Sequence, residues 1–123
     1  MEANLGKILL AEDDKIMRSM LLDSLEHMGH TVHDAENGEI AWELWQKESY
    51  DLLITDINMP KLNGIDLLKK IRTKSTLFPV IVITGVYLES AENQALESGA
   101  SALLYKPFKM KDLYEAINRF AVL

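Results

Sequence analysis

Asp56 stands where an apolar run stops. Leu52, Leu53 and Ile54 precede it, and Met59-Pro60 and Asn63-Gly64 follow within a few residues. Three other polar features sit in comparable places: Glu12-Asp13-Asp14 after KILLA, Thr84-Gly85 at the end of VIVIT, and Lys106-Pro107 after ALLY. Singly, each has an ordinary account. An Asp after a strand is commonly a helix cap or turn residue, an acidic run complements a helix dipole, and a lone Thr or Lys is structural or solvated. Their coincidence at the ends of four apolar runs is what those accounts do not predict. Carboxylates that converge repel, and either raise one another's pKa or recruit a cation. Oxygen donors with no Cys and no nearby His suit Mg²⁺ or Mn²⁺. Such an ion beside a hydroxyl and an ammonium group makes a phosphoryl-transfer site. Asp56 is then the candidate nucleophile, because carboxylates form aspartyl-phosphates.

These residues need elements to bring them together. Lys7–Ala11 reads as a short apolar strand. Between Asp14 and Met28, the residues Ile16, Met17, Met20, Leu21, Leu25 and Met28 recur at helical spacing, with Gly29 as the stop. Thr31–Ala35 is a weak, polar strand suited to an edge. Asn37-Gly38 is a turn signal ahead of a helix carrying Ile40, Ala41, Leu44 and Trp45. Leu52–Thr55 is a third strand, and Asn63 caps a helix with Ile65, Leu68 and Ile71 inward. A fourth strand covers 80–84, a more polar helix covers 87–98 up to Gly99, Ala102–Tyr105 is a fifth strand, and Lys111–Phe120 is a last helix.

Strands alternating with helices imply a parallel sheet covered on both faces. Right-handed crossovers leave few topologies. A doubly wound, flavodoxin-like (βα)5 sheet in the order 2-1-3-4-5 puts the polar second strand at an edge and the apolar ones at the centre. In such sheets ligands bind beyond the carboxyl ends of the strands, at the switch in strand order. The first and third strands are then neighbours, so Asp56 should meet Glu12 and Asp13.

The chain has 123 residues, 48% hydrophobic and 26% charged, which suits one globular domain over 1–123 with its core at about 7–120, and no second domain is expected within it. No apolar run approaches the roughly 20 residues that cross a bilayer. The acidic start is unlike a secretory signal. The absence of cysteine excludes thiolate chemistry and fits a reducing cytoplasm. A net charge of −6 argues against direct nucleic-acid binding.

With these motifs in hand, the chain resembles the receiver domain of two-component response regulators. The resemblance runs from Lys7 to about Phe120. It rests on the acidic pair after the first strand, on Asp56, Met59, Pro60 and Gly64 in the pattern DxxMPxxxG, on Thr84, and on Lys106-Pro107-Phe108. It implies that Asp56 accepts a phosphoryl group from a phosphohistidine of a sensor kinase or phosphotransfer protein. Mg²⁺ would be held by Asp13 and Asp56 directly, by Glu12 through water, and by the Asn58 backbone carbonyl, while Thr84 and Lys106 contact the phosphoryl oxygens. The Lys106–Pro107 bond is expected to be cis. Phosphorylation would reshape the surface of the fourth helix, fifth strand and fifth helix to control an output partner, in a monomer or a phosphorylation-dependent dimer. The chain would be no enzyme beyond its own phosphorylation and dephosphorylation. Leu103 stands where the family often has a switch aromatic. Tyr105 is expected to face the other way. Asn58 and Val86 lie where family members tune phosphoryl lifetime.

Two rival readings remain. A haloacid-dehalogenase-type phosphohydrolase also uses an Asp after a strand, but needs a second Asp where this chain has Asn58. A receiver-like binding module that is never phosphorylated would not need the full set of Asp13, Asp56, Thr84 and Lys106. Elsewhere, His27, His30 and His33 read as scattered surface histidines, Trp42 as a partly buried surface aromatic, and Lys69, Lys70, Arg72 and Lys74 as a solvated helix face.

Overall fold

In a computed structural model, residues 6–85 and 89–120 are described. The strands are β1 (Lys7–Ala11), β2 (Thr31–Ala35), β3 (Leu52–Asp56), β4 (Val80–Thr84) and β5 (Ala102–Tyr105); the helices are α1 (Lys15–His27), α2 (Gly38–Lys47), α3 (Gly64–Lys74), α4 (Glu89–Glu97) and α5 (Met110–Phe120). All pairings are parallel and the order is β2-β1-β3-β4-β5. The doubly wound arrangement expected from the sequence is therefore present.

The two-residue period of a strand sorts its side chains onto two faces. Ile8, Leu10, Leu52, Ile54, Ile81 and Ile83 pack with Leu21 and Leu25 of α1 and Leu113 and Ile117 of α5. Leu9, Leu53, Val80 and Val82 pack on the other face with α2, α3 and Ala95 of α4. Asp14, Asn37 and Asn63 cap α1, α2 and α3, each accepting the backbone N–H three residues on at 2.8–2.9 Å. Gly29 (φ 99°) and Gly99 (φ 100°) end α1 and α4 in the left-handed region. The Asn37-Gly38 pair is thus a cap and first helical residue rather than a free turn. A Cβ on Gly38 would lie 1.9 Å from the Leu62 carbonyl oxygen, so α2 docks directly on the β3–α3 loop.

Three expectations are corrected. Ile16 and Met20 do not join the core: they are 74% and 60% exposed. At 3.6 residues per turn they lie about 60–100° around the helix from the stripe of Met17, Leu21, Leu25 and Met28. The basic strip is not wholly solvated, because the Arg72 guanidinium donates to the Gly99 carbonyl at 2.6 and 3.1 Å and to the Ser75 carbonyl at 3.1 Å, tying α3 to the end of α4. Nor are the histidines all on the surface. His33 is half-buried with its Nδ1 2.8 Å from the Tyr50 hydroxyl, and His30 is buried with its Nδ1 accepting the Gly6 N–H at 3.2 Å. Trp42 is half-buried as expected, stacked on Trp45 with Lys70 over its ring.

His30 has a consequence for stability. Burial pushes its pKa below the ordinary value of 6.5. A histidine held neutral in the folded state contributes stability above its unfolded pKa and loses it as pH falls toward the folded value. His30→Asn keeps an acceptor in the place of Nδ1 and cannot titrate. Urea unfolding from pH 7.5 to 5 should show a shallower acid decline in the variant; parallel curves would dismiss the assignment.

Candidate functional site

Register builds the site. Ala11 pairs with Thr55, so the next residues, Glu12 and Asp56, leave neighbouring strand ends side by side. Asp56 in turn pairs with Ile83, which brings Thr84 to the same rim, and Thr84 pairs with Tyr105, which places Lys106 beside it. The Lys106 N–H donates to the Thr84 carbonyl at 2.7 Å.

The Lys106 ammonium donates to Asp56 Oδ2 at 2.8 Å and to Glu12 Oε1 at 2.9 Å. The Glu12 side chain is fully buried and that of Asp56 only 8% exposed, so the lysine bridges two carboxylates taken largely out of water. Asp56 Oδ1 accepts the Ile57 N–H at 2.7 Å, and Glu12 Oε2 accepts the Asp14 N–H at 3.0 Å. Asp13 is exposed, yet one oxygen from each of Glu12, Asp13 and Asp56 falls within a 4.8 Å cluster. Burial raises the Glu12 pKa, opposed by the bonds from Lys106 and the Asp14 N–H and reinforced by the Asp56 charge. Burial pushes Lys106 down, but its bonds to Asp56 and Glu12 outweigh this and leave its pKa raised. The ammonium therefore stays charged at neutral pH.

The donor set fits a hard divalent ion: three carboxylate oxygens converge, two of their residues are buried, and the third opens to solvent, where a small ion keeps its waters. Asn58, exposed two residues past Asp56, is in the same loop. Glycine sets that loop. The Gly64 N–H donates to the Ile57 carbonyl at 2.8 Å, and a Cβ on Gly64 would lie 2.0 Å from the Asp56 carbonyl oxygen. The same Asp56 oxygen accepts the Thr55 hydroxyl at 2.9 Å. At Gly85, by contrast, a Cβ would meet nothing described within 4 Å, which leaves space next to Thr84.

Lys106–Pro107 is cis, as expected, with Pro107 exposed. Leu103 is half-buried against the core shared with α2, α3 and α4. Val86 lies outside the described residues. Tyr105 is a correction. Residues two apart share a face of a strand, so Tyr105 points the same way as Leu103, and its hydroxyl donates to Glu92 of α4 at 2.8 Å. Sequence reasoning also missed Gly38, whose contact with Leu62 is non-local and leaves no local signal, and Arg18. The signal for Arg18 was a basic residue one turn into the helix behind an acidic loop.

Comparison with known proteins bears on the chain as a whole. Residues 8–118 match the family described as response regulator receiver domain. The chain is 34% identical over 116 residues to the response regulator receiver protein CpdR of Brucella abortus, covering 94% of this chain and 97% of that protein. It is 36% identical over 115 residues to the transcriptional regulatory protein CrdR of Helicobacter pylori, covering 93% of this chain but only 54% of that protein, so it spans about half of that relative's length. The receiver domain of the Francisella response regulator 1452 superposes with a TM-score of 0.86 at 32% identity, covering 92% of this chain and 93% of that one.

Proposed function

The chain belongs to the response regulator receiver domain family of two-component signalling, and from that premise we propose that it is a phosphorylation-controlled switch with Asp56 as the acceptor. The observation that supports this most is the Lys106 ammonium held between Asp56 and Glu12 with Asp13 in ligand reach.

The donor in this reading is a phosphohistidine on a sensor kinase or phosphotransfer protein. An Asp56 carboxylate oxygen attacks phosphorus in line with the P–N bond. That bond breaks, the imidazole leaves with its electron pair and takes a proton, and an acyl phosphate remains. Glu12, Asp13, Asp56 and the Asn58 carbonyl would hold Mg²⁺, which when bound would neutralise charge on the phosphoryl oxygens. Lys106 is already charged and placed by its bonds to the acceptor, so it needs little reorganisation to meet a new anion. Thr84, at the adjacent strand end, contributes a hydroxyl. Phosphate would draw Lys106 from Glu12 and Asp56, and the change would pass through β4, β5 and α4 to the surface that meets an output partner. It can shift that surface only by its differential interaction with the two arrangements.

The function is that of a cytoplasmic signalling domain that turns over no substrate but its own phosphoryl group. The residue two beyond Asp56, where a phosphohydrolase needs a proton-transferring acid, is an amide, Asn58. Among the described residues no helix is long and apolar enough to cross a membrane.

Incubation with Mg²⁺ and acetyl phosphate, followed by intact mass, tests the reading. One added phosphoryl group is expected, absent in Asp56→Asn and in the presence of chelator, while Asp56→Asn still unfolds cooperatively. An adduct that survives Asp56→Asn would place the acceptor elsewhere. No adduct, together with no binding of beryllofluoride, would favour a binding module.

A further inference from the structure

Arg18 lies in the first turn of α1, where helical side chains point back toward the N-terminus and so over the preceding loop. Its Nη1 donates to the Glu12 carbonyl at 2.8 Å and approaches the Asp13 carbonyl at 3.5 Å. Its Nε donates to Asp34 Oδ2 on β2 at 3.1 Å. The side chain is only 16% exposed. The planar guanidinium thus spans three elements: α1, the β1–α1 loop and the edge strand.

That loop carries the acidic residues of the site. The residues on either side of Asp13 are fixed. The Glu12 N–H donates to the Ala35 carbonyl at 3.0 Å, its carboxylate accepts from Asp14 and Lys106, and Asp14 caps α1 through the Met17 N–H. Asp13 is the exposed member of the cluster, with no comparable bond to its carboxylate among the described contacts. The aim of its side chain therefore depends on the backbone it hangs from, and Arg18 holds the Glu12 carbonyl just before Asp13 and lies close to the Asp13 carbonyl just after it.

We propose that Arg18, oriented by Asp34, is a positioning residue for divalent-cation binding: it fixes the β1–α1 loop so that the Asp13 carboxylate meets Asp56. This rests on the metal-assisted reading of the site given above. The geometry opposes the simple electrostatic expectation. A guanidinium beside an acidic cluster repels a cation, so removing its charge should tighten metal binding. Loss of loop geometry should weaken it, as loss of a group that orients a ligand commonly does by roughly tenfold or more. The two accounts differ in sign.

The test uses Mn²⁺ as the probe, with bound ion measured as the loss of the free-ion EPR signal, on the full chain. Arg18→Lys keeps the charge but cannot serve a carbonyl and a carboxylate through one planar fork; its Mn²⁺ Kd should rise roughly tenfold. Arg18→Gln should also bind more weakly, despite losing a repelling charge. Adding Asp34→Asn to Arg18→Lys should change Kd little further, since Asp34 acts through Arg18. Thermal unfolding checks that each variant is folded at the assay temperature. A purely structural arginine would lower the Tm and leave Kd unchanged in a folded variant. Should Arg18→Lys fail to fold, Arg18→Gln decides by sign. An unchanged or lower Kd in the folded variants overturns the proposal. Wild-type protein that binds no Mn²⁺ overturns the metal reading of the site itself, and this proposal with it.

Discussion

Gly64→Ala should disable the site without replacing any of its functional side chains. The added Cβ would lie 2.0 Å from the Asp56 carbonyl oxygen, 2.9 Å from its carbonyl carbon and 3.0 Å from Ile57 Cα. All three are backbone atoms of the acceptor strand end, so no flexible side chain can move aside. Either α3 withdraws from the sheet or the Asp56–Ile57 peptide shifts, and that peptide also receives the Thr55 hydroxyl. Overpacking of this kind costs about 3 kcal/mol. A displacement of about 1 Å at a reacting atom can cost on the order of 10²-fold in rate. Phosphorylation by acetyl phosphate, followed by mass, should slow by that order, and urea unfolding should report the stability loss. Gly38→Ala is the matched control. Its Cβ meets the Leu62 carbonyl at 1.9 Å, on the same loop but away from the carboxylates. It should lose similar stability and much less phosphorylation rate. Equal rate losses in the two variants would show that loop strain in general, and not the placement of Asp56, governs the reaction.

The contrast between these glycines marks what the sequence discloses. The pattern around Asp56 singles out Gly64, and the close approach to Asp56 supplies the reason for a glycine there. Gly38 sits behind Asn37 in what reads locally as a turn, because its partner, Leu62, is 24 residues away in sequence. The strands were legible for a similar reason: apolar runs, the glycine stops at Gly29 and Gly99 and the Asn63 cap are local signals, and these act here as read. Periodicity alone could not separate Ile16 and Met20 from the buried stripe, since it gives the spacing of a face and not its width. The meeting of Glu12, Asp13 and Asp56 followed from strand order. The Arg18–Asp34 link did not, because it depends on how far one side chain reaches across two elements. Tyr105 was misread through a parity count. Its bond to Glu92 leaves β5 joined to α4 by an aromatic side chain after all, two residues beyond Leu103.

Replacing Lys106 by methionine should destabilise the fold in a way that acid and Mg²⁺ each partly reverse. The lysine is the shared cation of two carboxylates, one fully buried and one nearly so. Methionine fills similar space without charge, leaving Glu12 and Asp56 facing each other. Stranding buried charge in this way costs roughly 3 kcal/mol at neutral pH without divalent ions. The Glu12 pKa is already raised by burial and by Asp56, and the bond from Lys106 that opposes both is gone in the variant. A carboxyl whose folded pKa lies above its unfolded value contributes stability that is full below the unfolded pKa and lost as pH rises through the folded one. Lowering the pH from 7.5 toward 5 should therefore return part of the lost stability to Lys106→Met, over the range in which His30 makes the parent less stable. Mg²⁺ should do the same at constant pH, because a ligand that binds only the folded state stabilises by RT ln(1 + [L]/Kd). That Kd falls when the competing ammonium is absent. Urea unfolding at pH 7.5 and pH 5.5, with and without millimolar Mg²⁺, separates the two effects. Phosphorylation of Asp56 should persist in the variant, since the proposed nucleophile and the carboxylates proposed to hold the ion remain, while its coupling to the α4–β5 surface weakens. A variant as stable as the parent at pH 7.5 and indifferent to Mg²⁺ would mean that Lys106 does not offset the charge of these two carboxylates.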